Sequence, residues 1–214
     1  MADAVLYDYW RSSCAYRVRI ALNLLGIGYE ARVKSLVEGA HLEPDYLKKN
    51  VQGLVPTLEI DGQTISQSLA IIEYLNETRP EAGFLPPDPM GRVRVRALSY
   101  AIAMEIQPIC NLKTANHVVE VTGGDHDTRV AWMEKFVGEG LAAFEGMLAS
   151  PGTGKFCHGD TPTMADMCLM PQLYNATRFG TDYTRHKQIS RIAEECRGLK
   201  AFQDAYPDAV NVEG

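Results

Sequence analysis

The chain has 214 residues, 46% of them hydrophobic and 22% charged, values ordinary for a soluble globular protein. Its 21 basic and 27 acidic residues leave a net charge of −6, which argues against a broad nucleic-acid surface. No run of about 18 apolar residues occurs, which excludes a membrane span, and residues 1–14 lack the basic and apolar regions of a secretory signal. A chain this long can bury a core without a disulfide or metal staple. Cys14, Cys110, Cys157, Cys168 and Cys196 are odd in number and scattered, without zinc spacing or a disulfide framework, and fit a reducing cytosol.

The first 80 residues alternate strand and helix signals. Residues 5–9 predict a strand. Apolar residues at 18, 20, 21, 22, 24 and 25 predict a largely buried helix over 16–25, stopped by Gly26. A second strand is expected over 29–33 and a weak helix over 41–49. Two short β runs, 55–60 and 63–65, flank Asp61-Gly62 and predict a hairpin. A helix over 69–78 follows, with Leu69, Ile72 and Leu75 on one face. The order β-α-β-α-β-β-α implies a parallel first pair and an antiparallel closing hairpin.

Pro80, Pro86, Pro87 and Pro89 then interrupt the pattern and mark a domain boundary. Beyond it only helices are expected: 92–121, 127–148, 161–178, and shorter ones at 187–197 and 199–205. Thr163 and Asp166 have capping-box spacing. The expected architecture is therefore an α/β domain over 1–80, a Pro-rich linker over 81–91 and an all-α domain over 92–214.

Three motifs invite chemistry. Ser12-Ser13-Cys14 sits between the first strand and the first helix, where free N–H groups and the helix dipole stabilise an anion or a thiolate. Equally, Ser12 and Ser13 can be plain N-caps with Cys14 packed. Val55-Pro56 in a cis form would free the Val55 backbone to pair with an extended peptide; the alternative is an ordinary trans proline at a strand start. Gln67-Ser68 at the next helix start offers a carboxylate site or another bare cap. The topology brings all three to one end of one sheet. Together they would hold a short anionic peptide with its thiol near Ser12.

Ser12-Ser13-Cys14-x-x-Arg17-Val18-Arg19-Ile20-Ala21-Leu22 closely resembles the signature of zeta-class glutathione transferases, whose best-known activity is maleylacetoacetate isomerase. Val55-Pro56-Thr57-Leu58, Gln67-Ser68-Leu69-Ala70-Ile71-Ile72, Leu85-Pro86-Pro87-Asp88-Pro89, Ile106-Gln107-Pro108, Gly159-Asp160 through Asp166, and Pro171-Gln172 match as well. The resemblance runs from about residue 5 to 206. The Ser-Cys motif is specific to the class; the Ser68 and Asp166 regions are shared by many glutathione transferases. Tyr16 stands where the family usually has Trp, which keeps an aromatic wedge.

The resemblance implies a thioredoxin-like first domain, an all-α second domain, a cytoplasmic homodimer and glutathione as cofactor. By the same resemblance, Ser12 meets the glutathione sulfur and Ser13, Cys14, Ala15, Tyr16 and Arg17 surround it, with Ser12, Ser13 and Cys14 forming the catalytic motif. Val55, beside Pro56, pairs with the cysteinyl backbone. Gln67 and Ser68 bind the γ-glutamyl carboxylate, and His41 lies near the glycyl end. Gln107, Asn111, Leu112 and Lys113 fall on a helix facing glutathione, and Arg11 and Arg178 match positions that hold substrate carboxylates.

The implied reaction, in tyrosine catabolism, is isomerisation of a small unsaturated diketo acid, maleylacetoacetate, to fumarylacetoacetate. A thiolate adds to the cis double bond, the single bond rotates, and elimination leaves the trans product. The rivals are a maleylpyruvate isomerase, a transferase acting on small α-halo acids, a non-catalytic binding module, and a thiol reductase using Cys14. Retention of Ser12 argues against the module. The lack of a resolving cysteine near Cys14 argues against the reductase. His117, His126, His158 and His186 show no ligand spacing, and Cys110, Cys157, Cys168 and Cys196 read as packed or surface thiols.

Overall fold

The computed structural model describes residues 3–211. β1 (Ala4–Asp8) is buried at Ala4, Leu6, Tyr7 and Asp8. A strand covered on both faces belongs inside a sheet. β1 indeed lies between β2 (Tyr29–Val33) and β3 (Thr57–Ile60), with β4 (Gln63–Ser66) on the far edge beyond β3. β1 and β2 are parallel and joined through α1 (Ser13–Leu24), whereas β3 runs antiparallel to both β1 and β4. α2 (Pro44–Leu47) is a single turn, and α3 (Ser68–Thr78) packs on α1. The expected element order and mixed sheet are both present.

The hairpin forms because Asp61 and Gly62 both adopt positive φ, 53° and 72°, as a two-residue turn between twisted strands requires. Asp61 is held there by Tyr74 Oη (2.9 Å) and by both of its oxygens accepting from Arg79 Nη2 (2.9 and 3.0 Å). Those donors, Arg79 first, hold its carboxyl below the usual range.

α1 begins three residues before the predicted start at 16. Ser12 caps it, with Oγ accepting from the Ala15 N–H at 3.2 Å. This places Ser13 and Cys14 inside the first helical turn.

Two compact units emerge: Met1–Phe84 with Arg197–Gly214, and Leu85–Cys196. Their boundary falls within the proline-rich stretch. The end of the chain differs from the helical domain expected over 92–214, because the last segment packs in the first unit. Arg19 Nε donates to the Ala205 carbonyl (3.1 Å), Asn23 Nδ2 donates to the Ala201 carbonyl (3.1 Å), and the Tyr206 ring meets Tyr16 edge-on at 6.3 Å. Polar side chains on α1 thus recruit the segment around α9 (Lys200–Asp204).

The second unit is helical: α4 (Pro89–Tyr100), α5 (Leu112–Thr122), α6 (His126–Leu148), α7 (Met164–Arg178) and α8 (Lys187–Arg197). Met133, Val137, Leu141, Phe144 and Leu148 form the buried stripe of α6 at spacings of three and four. The single helix predicted over 92–121 is broken. After α4 a π-helical segment, Ala101–Ile106, closes with the Gln107 N–H on the Ile102 carbonyl (2.9 Å). Pro108, which has no N–H, interrupts the ladder, and the Cys110 N–H makes one further bond to the Ile106 carbonyl (3.1 Å). Asn111 restarts it by accepting from the Thr114 N–H (2.9 Å) while donating to the Pro108 carbonyl (2.6 Å).

The capping box of α7 is present: Thr163 and Asp166 satisfy one another's backbone, and the fully buried Asp166 also accepts from the Cys157 N–H at 2.8 Å. Burial pushes the Asp166 carboxyl up, against the pull of those donors. Among the described residues no helix is long and apolar enough to cross a membrane.

Candidate functional site

In the first unit the Ser12-Ser13-Cys14 turn opens α1. The Ser12 N–H is spent on the Tyr9 carbonyl (2.8 Å), and the Ser12 carbonyl accepts from the Tyr16 N–H (2.9 Å). Ser12 Oγ accepts from the Ala15 N–H, so its own hydrogen is left to donate elsewhere. Ser12, Ser13 and Cys14 are half-buried. The α1 dipole adds roughly half a positive charge at this end.

Arg17, one turn on, joins α1 to the start of α3. It is 2% exposed, and its Nη1 donates to Ser68 Oγ (3.2 Å) and to Cys14 Sγ (3.7 Å). Ser68, also buried, is the first residue of α3. Gln67 immediately before it holds a positive φ of 70°, and its side-chain Nε2 donates to Gln52 Oε1 at 2.8 Å. Gln52 has no counterpart among the predicted site residues. Its link to Gln67 depends on the loop before β3 folding back, which no local pattern signals.

The Val55-Pro56 peptide bond is cis rather than trans. The sheet ladder begins at Thr57, paired with Tyr7 and Ser66, so the Val55 backbone lies ahead of the first rung. His41 sits in the short 3-10 turn Ala40–Leu42, half-buried, with Nδ1 enclosed and without a hydrogen-bond partner. Arg11 stacks over the Trp10 ring (4.5 Å) and donates from Nη2 to Tyr9 Oη (2.9 Å). Ala15 and Tyr16, also expected around the sulfur, have buried side chains. Tyr16 packs against Tyr206 and the Arg19 guanidinium (5.3 Å).

The remaining predicted residues belong to the second unit. Gln107 and Asn111 are half-buried at the break before α5, where the Asn111 amide is already committed as a cap. Leu112 and Lys113 are exposed in the first turn of α5. Arg178 is exposed in the last turn of α7, with its guanidinium 5.3 Å from the Phe179 ring centroid. Among the described residues, no group of three or more His, Cys, Asp or Glu is placed to hold a metal ion.

All five cysteines are free, but only Cys14 is part-exposed; the other four are buried. Burial pushes the Cys110 thiol up to about 11 and raises Cys157 well above its ordinary value. At neutral pH it is the thiolate that attacks the disulfide of a thiol reagent, expelling a thiolate leaving group. Ellman's reagent is therefore expected to titrate one thiol per native chain promptly and five in denaturant. Prompt reaction of two or more native thiols would contradict this packing.

Residues 11–78 match the family model described as glutathione S-transferase, N-terminal domain. The chain is 56% identical over 206 residues to a maleylacetoacetate isomerase of Rhizobium meliloti, covering 96% of this chain and 97% of that one. Among solved structures, a holo maleylpyruvate isomerase, described as a bacterial zeta-class glutathione S-transferase, superposes with a TM-score of 0.94 at 38% identity, covering 98% of this chain and 100% of that one. A maleylacetoacetate isomerase from Methylobacterium extorquens AM1, crystallised with malonate and glutathione, superposes with a TM-score of 0.92 at 37% identity, covering 97% and 98%. Identity at this level across nearly the whole length, together with a Ser-Ser-Cys turn at the mouth of α1, places the chain in the zeta-class glutathione transferase and maleylacetoacetate isomerase family.

Proposed function

We propose that this protein is a glutathione-dependent cis–trans isomerase that converts maleylacetoacetate to fumarylacetoacetate. The observation that carries the choice of reaction is the 56% identity, over 96% of the chain, to a maleylacetoacetate isomerase. The residues of the first unit fit the tripeptide. An enclosed guanidinium with unpartnered Nε and Nη2 stands behind Ser68, Ser12 keeps a free hydroxyl hydrogen, and the Val55 backbone precedes the ladder.

Bound glutathione supplies a thiolate that adds reversibly to the cis double bond. The chain's residues prepare that chemistry. Ser12 donates its hydroxyl hydrogen to the sulfur, and the start of α1, including Ser13 and Cys14, favours its negative charge. Val55 pairs through its backbone with the cysteinyl unit. Gln67 and Ser68 hold the γ-glutamyl carboxylate at the start of α3, and His41 attends the glycyl end. Arg11, stiffened by its stack on Trp10, offers a planar fork to a substrate carboxylate. In the second unit, Arg178 takes the same role by family resemblance, and Gln107, Asn111, Leu112 and Lys113 are the corresponding glutathione positions. We further read the chain as a cytoplasmic homodimer acting in tyrosine breakdown; five free thiols suit a reducing compartment. A sedimentation mass of one chain would contradict the dimer.

The likeness to a maleylpyruvate isomerase favours one second reading, isomerisation of that shorter acid. Purified protein assayed with maleylacetoacetate, maleylpyruvate and dichloroacetate, with and without glutathione, separates them. The expected result is a glutathione-dependent isomerisation with the highest kcat/KM on maleylacetoacetate. Preference for maleylpyruvate, or turnover without glutathione, would contradict the proposal.

A further inference from the structure

Arg17 is a charge without a counter-ion. It is 2% exposed, its Nε and Nη2 have no hydrogen-bond partner, and among the described residues it forms no ion pair. Such a buried, uncompensated guanidinium is costly for a fold to keep. Arg19, two residues on and equally enclosed, shows the contrast, since Asp8 neutralises it at 2.7 Å. The partners Arg17 does have, Ser68 Oγ and Cys14 Sγ, lie at the starts of α3 and α1 respectively.

Hydrogen-bond direction makes this arrangement informative. A guanidinium N–H only donates, so Ser68 Oγ must accept from Arg17, and the Ser68 hydrogen must be given to something else. Nε and Nη2 are sealed from solvent, so a ligand does not reach them directly. Arg17 can act on a ligand only through the Ser68 hydroxyl and through its field.

We propose that Arg17 is the positioning residue of the carboxylate site at the start of α3. It turns the Ser68 hydroxyl outward as a donor, and its missing counter-ion is the α-carboxylate of the incoming γ-glutamyl group. This rests on the glutathione reading above and deepens it, because it assigns recognition of that carboxylate to a buried charge behind Ser68. The same nitrogen makes Cys14 Sγ an acceptor, so Cys14 is a link between the two helix starts.

The test is a cycle of two peptides against three proteins. Glutathione and 4-aminobutanoyl-Cys-Gly, which lacks only the α-carboxylate, are titrated calorimetrically into the wild type, Arg17→Gln and Arg17→Lys. The wild type is expected to prefer glutathione by about tenfold or more, as a charge-assisted contact implies. Arg17→Gln is expected to reduce that preference to about threefold or less, while Arg17→Lys, which keeps the charge, retains most of it. A purely structural Arg17 would weaken both peptides alike, and an unchanged ratio in Arg17→Gln overturns the assignment. If Arg17→Gln does not fold, Arg17→Lys decides: a folded Lys variant that binds both peptides equally also overturns it. A wild type that does not bind glutathione at all sinks the underlying functional reading instead.

Discussion

Replacing Arg19 by Met is expected to lower folding stability by about 3–5 kcal/mol, the cost of stripping one partner from a buried ion pair. Arg19 is fully enclosed. Its Nη1 meets both Asp8 oxygens (2.7 and 2.9 Å), its Nη2 the Trp10 carbonyl (2.9 Å), and its Nε the Ala205 carbonyl (3.1 Å). One guanidinium thereby ties the end of β1, the turn leading into α1 and the C-terminal segment to one another. Met fills much of the space but leaves the Asp8 carboxylate buried and takes away the donors that Arg19 gave to two carbonyls. Against a typical stability of about 5–15 kcal/mol, the loss is large. Denaturant unfolding followed by circular dichroism measures it. The double variant Asp8→Leu/Arg19→Met should recover much of the loss, because the stranded charge is gone. A loss below about 1 kcal/mol in the single variant would mean that the pair does not hold this unit together.

Ser12→Ala is expected to reduce kcat/KM for the isomerisation by about 10²-fold or more, the usual effect of deleting one preorganised donor to a developing anion. Because Ser12 Oγ also caps α1 through the Ala15 N–H, the same variant should lose about 1 kcal/mol of stability. The two effects are separable. Ser12→Thr keeps the hydroxyl and should retain most of the activity, whereas Ser12→Gly relieves the cap penalty without restoring turnover. Steady-state kinetics on folded variants checks this. Full activity in Ser12→Ala would remove Ser12 from the chemistry.

The legible parts of the sequence were those with a local physical cause. Asp61-Gly62 signals its hairpin because few residue pairs accept two positive φ values in succession. Thr163 and Asp166 signal a helix start because their side chains answer each other three residues apart. Apolar periodicity, by contrast, located the body of α1 but not its beginning, where a single Ser12 bond fixes the first turn. It also runs straight through residues 107–111, where the missing Pro108 N–H interrupts the hydrogen-bond ladder and Asn111 opens a new helix. The packing of the chain end on α1 depends on Arg19 reaching Ala205, a contact 186 residues apart. Periodicity around Arg17 and Arg19 implied a buried helix, yet no pattern distinguishes the arginine that meets Asp8 from the one left without a counter-ion.

The central claim is that the turn at Ser12 holds a glutathione thiol in its ionised form. It is tested most directly by titrating the ultraviolet thiolate absorbance of the glutathione complex in a Cys14→Ala background, with and without Ser12→Ala. The bound thiol should ionise about one pH unit or more below free glutathione when Ser12 is present, and close to the free value when it is not. An ionisation unshifted by binding, or shifted equally without the hydroxyl, would contradict it.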